Sequence, residues 1–184
     1  DDFLTKNKDW IEKRKREVLE KIKDYNEWEK FMFFWDEYEL ILKWDSKVIK
    51  FDGMNFILSK KYKNNASDLF SDFYKKEARK HIEKRIIFIS EKYNLKYNKL
   101  KITSAKTRWG SCTSQKNINF SYRLIMAPLK TIDYVIVHEL SHLKEMNHSK
   151  KFWDIVEEMM KWLYPWDYKT HKKWLSDNGN KLIF

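Results

Sequence analysis

Five consecutive residues, His138-Glu139-Leu140-Ser141-His142, constrain this chain more than any other feature of it. Side chains four positions apart share one face of an α-helix, so the two imidazoles can hold a single Zn²⁺ together while the Glu between them is placed to work on a metal-activated water. Chance supplies this HExxH pattern only about 0.01 times in a sequence of this length. At roughly 100° per residue, Ile132, Ile136, Leu140 and Leu143 form an apolar stripe opposite the two histidines. The spacing predicts a helix anchored in a core on one side and presenting its histidines to a cleft on the other.

With 184 residues the chain has room for one domain, or for a domain with a small appendage. Gly53, Gly110 and Gly179 are its only glycines, too few and too scattered for a Walker loop or a dinucleotide fingerprint. The single cysteine, Cys112, excludes an intrachain disulfide framework and a Cys-rich zinc finger. It fits a reducing compartment, so a cytoplasmic location is expected. No apolar run approaches the roughly 20 residues that span a bilayer, and no membrane association is expected. Aromatic residues make up 17% of the chain, which excludes intrinsic disorder. The net charge of +11 favours anionic partners, although enrichment in Lys, Asn and Ile also fits compositional drift in an AT-rich genome.

Leu4, Ile11, Val18 and Tyr25 recur every seven residues and predict an amino-terminal helix, on which Lys13, Arg14, Lys15 and Arg16 read as a solvated surface, with phosphate contact as the alternative. Short apolar runs at 31–35, 38–44, 48–51 and 56–58 follow, broken at Asp36, at Asp45-Ser46 and at the turn-forming Asp52-Gly53. They predict a small antiparallel meander. Asn65 or Ser67 then caps a long helix to about Tyr93, with Phe70, Ile82, Ile86 and Ile89 inside and His81 as a hydrogen-bonded core or boundary residue. Strands are predicted near 99–104 and 117–122, joined by a connection holding Arg108-Trp109-Gly110-Ser111-Cys112. Pro128 opens the motif helix, and further helices are predicted at 149–163 and 168–177.

A catalytic zinc normally takes three protein ligands. His148 lies six residues beyond His142 and can return to the metal through a chain reversal; Glu145, Asp154 and Glu157 are carboxylate alternatives. Tyr134, Arg123 and His171 are unranked candidates for stabilising an oxyanion. Cys112 reads as a packed thiol, Trp109 as a packing anchor, Gly110 as a point of close backbone approach, and the aromatic residues at 152, 153, 162 and 166 as core or interface groups.

These residues carry a resemblance. Arg108-Trp109-Gly110-Ser111-Cys112, Ile118-Asn119-Phe120, Leu124, Pro128, Ile132-Asp133-Tyr134-Val135, the HExxH motif, Asn147-His148-Ser149, Phe152-Trp153 and Trp174-Leu175 resemble the YgjP-like family of small zinc metallopeptidases, relatives of SprT-like and minigluzincin proteins. The similarity covers about Lys99 to Gly179 closely and the upstream helix loosely. It implies a zincin-like fold, His138, His142 and His148 as ligands, Glu139 as catalytic acid/base, and a peptide-binding edge on the strand before the motif helix. Where the family pattern commonly has Asn in the strand after the Trp-Gly-Ser-Cys turn, this chain has Ser121. Family members also tend to begin with an extra β segment, so the start at Asp1 is expected of a fragment or processed product.

The expected architecture is α+β, a zincin-like minimal metallopeptidase. Residues 1–63 form an accessory amino-terminal helix and β meander. In residues 64–184 the HExxH helix and the long helix pack on a small mixed sheet. The expected function is zinc-dependent hydrolysis of unfolded or extended peptides through a metal-activated water, with Glu139 as general base. The alternative is a nucleic-acid-associated module or DNA-tethered protease in which the basic surface dominates and the zinc site is regulatory. Weak, nonspecific DNA contact at low salt is expected of the peptidase, whereas tight binding at physiological salt is what the tethered alternative requires.

Overall fold

Short aromatic-rich runs in the first third of the chain form a four-stranded sheet of β1 (Lys30–Phe33), β2 (Asp36–Lys43), β3 (Ile49–Phe51) and β4 (Phe56–Ser59), ordered β1-β2-β4-β3. The structure, a computed structural model, describes residues 5–12, 23–44, 48–165 and 168–182. Residues 5–12 contain helical turns, whereas the basic cluster at 13–16 and most of the expected first helix lie outside the described residues.

Asp52-Gly53 turns β3 into β4 as expected. Gly53 takes φ +99°, and Asp52 Oδ1 accepts the Met54 and Asn55 N–H groups at 3.0 and 2.8 Å. The meander is not observed, because β4 pairs parallel with β2, from Leu40↔Phe56 to Lys43↔Ser59. The reason is burial. All four residues of β4 are buried, so this strand takes an interior position, while β3, with exposed Lys50, is left at the edge.

Helix α1 (Ala66–Lys92) buries Phe70, Tyr74, Ala78, Ile82, Ile86 and Ile89, a spacing of three or four residues that lays one stripe on the core. Phe31 stacks on Phe70 at 4.1 Å, and the Tyr74 hydroxyl donates to the Met32 carbonyl at 2.8 Å, joining the helix to the sheet.

A three-stranded sheet follows, β5 (Lys99–Thr103), β6 (Gly110–Cys112) and β7 (Asn117–Ser121), ordered β5-β7-β6. Part of the expected connection is thus a strand. The strand before the motif helix, β7, is central instead of an edge, because Ile118 and Phe120 are fully buried and need a neighbour on each side. The open edge on the motif-helix side is β6.

After a buried 3₁₀ segment (Tyr122–Met126), Pro128 leads into α2 (Leu129–Ser141), followed by α3 (Lys150–Leu163) and α4 (Tyr168–Asn178). Helix α2 packs against α1, α3, α4 and β6, so it is buried nearly all round rather than along one stripe. The backbone N–H groups of Phe34 and Trp35 donate to the Ile125 and Met126 carbonyls at 3.0 and 2.9 Å, tying the β1–β2 turn to the approach to α2. One apolar core runs from Phe31 to Leu182. No helix among the described residues is long and apolar enough to cross a membrane.

Candidate metal centre

The helical period brings His138 and His142 to one face of α2, and the chain reverses beyond Ser141. Ser149 caps α3 by accepting the Phe152 N–H at 3.3 Å, which returns His148 to the same point. One nitrogen from each of His138, His142 and His148 lies within 4.8 Å of the others, and the Nε2 atoms of His138 and His148 are 3.0 Å apart. Three converging imidazoles are a donor set suited to Zn²⁺ and its borderline-soft neighbours. His142 Nδ1–H donates to the Glu145 carbonyl at 3.2 Å, which leaves Nε2 with its lone pair available to a cation.

The carboxylate alternatives do not join this group among the described residues. Glu145 contributes its backbone carbonyl, Glu157 pairs with Lys161 at 2.6 Å, and Asp154 is exposed.

Aromatic rings enclose the histidines. The Phe152 ring lies 4.5–4.9 Å from all three, and a stack runs from His148 through Trp153 and Tyr168 to Tyr134 at successive spacings of 5.7, 5.6 and 6.3 Å. Burial, then the neighbouring imidazoles, push His138 down to about 3. Burial and His148 also lower His142. The His138 and His142 rings are therefore held neutral, the form that binds a metal.

Glu139 is 5% exposed, and burial pushes its carboxyl up to about 8. Gly110 explains how it fits: a Cβ at that position would stand 2.5 Å from Glu139 Oε1. The close approach expected at Gly110 is thus to the side chain beside the histidines. Together with Trp109, Tyr134, His138 and Leu175, these two residues line a cavity of about 230 Å³.

Of the oxyanion candidates, Tyr134 lines this cavity. Arg123 is buried elsewhere, its Nη1 donating to the Ser104 and Ala105 carbonyls at 3.0 and 3.3 Å, and His171 bonds Thr131 Oγ1 through Nδ1 at 3.3 Å. Ser121 Oγ donates to the Ala105 carbonyl at 2.8 Å. Burial and Glu139 push the Cys112 thiol up to about 11, as suits a packed thiol. His81 is not the hydrogen-bonded residue expected, since its Nε2 is buried without a partner among the described residues. The contributions of Tyr168 and the Glu145 carbonyl escaped the sequence reading. An aromatic residue gives no sign of which ring it stacks on, and a backbone carbonyl has no residue-type signal.

The YgjP-like metallopeptidase domain family matches residues 1–178. The chain belongs to the YgjP-like family. As a YgjP-like metallopeptidase it acts on peptide or protein substrates, and the match extends beyond the carboxy-terminal motifs into the amino-terminal sheet. No curated protein matches it. Among solved structures, the crystal structure of the metallopeptidase zymogen of Pyrococcus abyssi abylysin is similar at 19% identity and a TM-score of 0.44, covering 52% of this chain and 93% of that one.

Proposed function

We propose that this YgjP-like chain is a zinc metalloendopeptidase of the HExxH type, with His138, His142 and His148 as metal ligands and Glu139 as general base. The observation that carries the reading is the convergence of three imidazole nitrogens within 4.8 Å beside a buried carboxyl on the same helix. Zn²⁺, when bound, supplies Lewis acidity to the scissile carbonyl, acidifies water and favours the ionised form of Glu139. Glu139 accepts the proton of the attacking water and delivers it to the leaving amine. Burial raises the Tyr134 phenol far above its usual range, so it keeps its proton and serves as a hydrogen-bond donor to the carbonyl oxygen.

Extended substrate suits β6. The Trp109 carbonyl accepts the Ser121 N–H at 2.8 Å, and the Thr113 N–H donates to the Asn117 carbonyl at 3.0 Å. By the two-residue period, the backbone groups of Gly110 and Cys112 face the open edge, where a peptide strand pairs.

The test is hydrolysis of an unfolded protein before and after chelation. Activity is expected to vanish with the metal and return with one equivalent of Zn²⁺; full activity after verified metal removal contradicts the reading. A second expectation follows from the Gly110 contact. Gly110→Ala must displace the Glu139 carboxyl, and misplacement of about 1 Å typically costs on the order of a hundredfold in rate. Peptide kinetics beside elemental analysis should show that loss with metal content retained, and a wild-type rate would mean that Glu139 needs no fixed position.

A further inference from the structure

A second cavity, of about 360 Å³, opens beside β6, and its lining includes Thr103, Arg108, Ser111, Thr113, Asn119 and Ser121. It shares Gly110 with the cavity beside the histidines. Strand periodicity explains this polar face. Ser111 is opposite Asn119 and Thr103 opposite Ser121 in the registers, so these side chains leave the sheet on one side while Ile118 and Phe120 fill the core on the other.

Much of the polar capacity here holds the cavity in shape. Asn119 Nδ2 donates to Ser111 Oγ at 3.1 Å, Thr103 Oγ1 to the Phe120 carbonyl at 3.3 Å, and Ser121 Oγ to the Ala105 carbonyl at 2.8 Å. Arg123 clamps the same loop through the Ser104 and Ala105 carbonyls, just ahead of Arg108. Arg108 itself is exposed, and its guanidinium has no ion-pair or hydrogen-bond partner among the described residues. No Asp or Glu is among the residues that line the cavity.

We propose that this cavity is a specificity subsite for a carboxylate of the bound peptide, held by Arg108 with Ser111 and Asn119 beside it; the inference rests on the peptidase reading above. A peptide paired along β6 sends alternate side chains to opposite faces at about 3.3 Å per residue, so the neighbour of a residue addressing the Glu139 side reaches the Arg108 side. A guanidinium fork matches a carboxylate in two parallel hydrogen bonds. A cationic side chain is repelled there, and an apolar one offers the Arg108 guanidinium no acceptor.

The experiment compares mixed-sequence peptides that carry Glu, Gln or Lys at one internal position, in C-amidated and free-acid forms, with cleavage read by mass spectrometry. Wild type is expected to favour Glu over Gln by about tenfold or more in kcat/KM, within two residues of the cleaved bond. Arg108→Ala should bring that ratio near one, and Arg108→Glu should favour Lys. Faster cleavage of free-acid than of amidated peptides, lost in Arg108→Ala, identifies the carboxylate as the chain terminus; a Glu preference that persists in amidated peptides identifies a side chain. Glu-to-Gln and acid-to-amide ratios that are both the same in wild type and both variants overturn the subsite. Peptides left intact by zinc-loaded wild type count instead against the catalytic reading. The subsite is then read by anisotropy of dye-labelled Glu and Gln peptides, each in free-acid and C-amidated form, on the zinc-loaded Glu139→Gln protein, where equal affinity for all four overturns it.

Discussion

Glu139→Gln is expected to keep its metal and to lose turnover by a factor of about 10²–10⁴, the contribution of a positioned general base. The substitution preserves size, so the contact with Gly110 survives, and it leaves the three histidines untouched. What it removes is the ability to take a proton from water and return it to the amine. The loss should therefore fall on kcat and kcat/KM together, since the interaction is made only in the transition state. Metal-replete Glu139→Gln protein that hydrolyses peptides at the wild-type rate would remove Glu139 from the mechanism.

The largest expected effect on stability comes from the other end of the motif helix. Asp133 is 2% exposed and accepts Arg85 Nε and Nη2 at 2.8 and 2.6 Å, with the Tyr164 hydroxyl as a third donor. This one carboxylate joins α2 to α1 and to the residue that follows α3. Deleting one member of a buried ion pair strands the others and typically costs about 3–5 kcal/mol. Arg85 retains some contact with water, its side chain being 24% exposed, which places Asp133→Ala toward the lower end of that range. A chain of this length should then melt lower by on the order of 10 °C. Denaturant and thermal unfolding check this, and an unchanged midpoint in both would show that the network contributes nothing net.

The site was more legible in the sequence than the sheets around it. His138, Glu139 and His142 share one helix, whose period fixes their relative placement whatever packs outside. His148 requires a reversal over few residues, and the Ser149 cap that sets it is itself a local signal. Strand neighbours are long-range choices. The unbroken apolar run of β4 indicates burial but not that β2 lies beside it in parallel. Gly110-Ser111-Cys112 lacks the β-branched and aromatic residues that mark strands, so β6 was hidden within a connection. The Asp133 network spans 48 residues to Arg85 and 31 to Tyr164, a distance over which no local pattern operates.

The most direct measurement is metal stoichiometry in wild type and in His148→Ala, by elemental analysis after dialysis against dilute zinc. One Zn²⁺ per chain is expected in wild type, and a sharp fall in occupancy in His148→Ala, because an open three-ligand site cannot spare a donor. Unchanged zinc content and affinity in His148→Ala would contradict the triad.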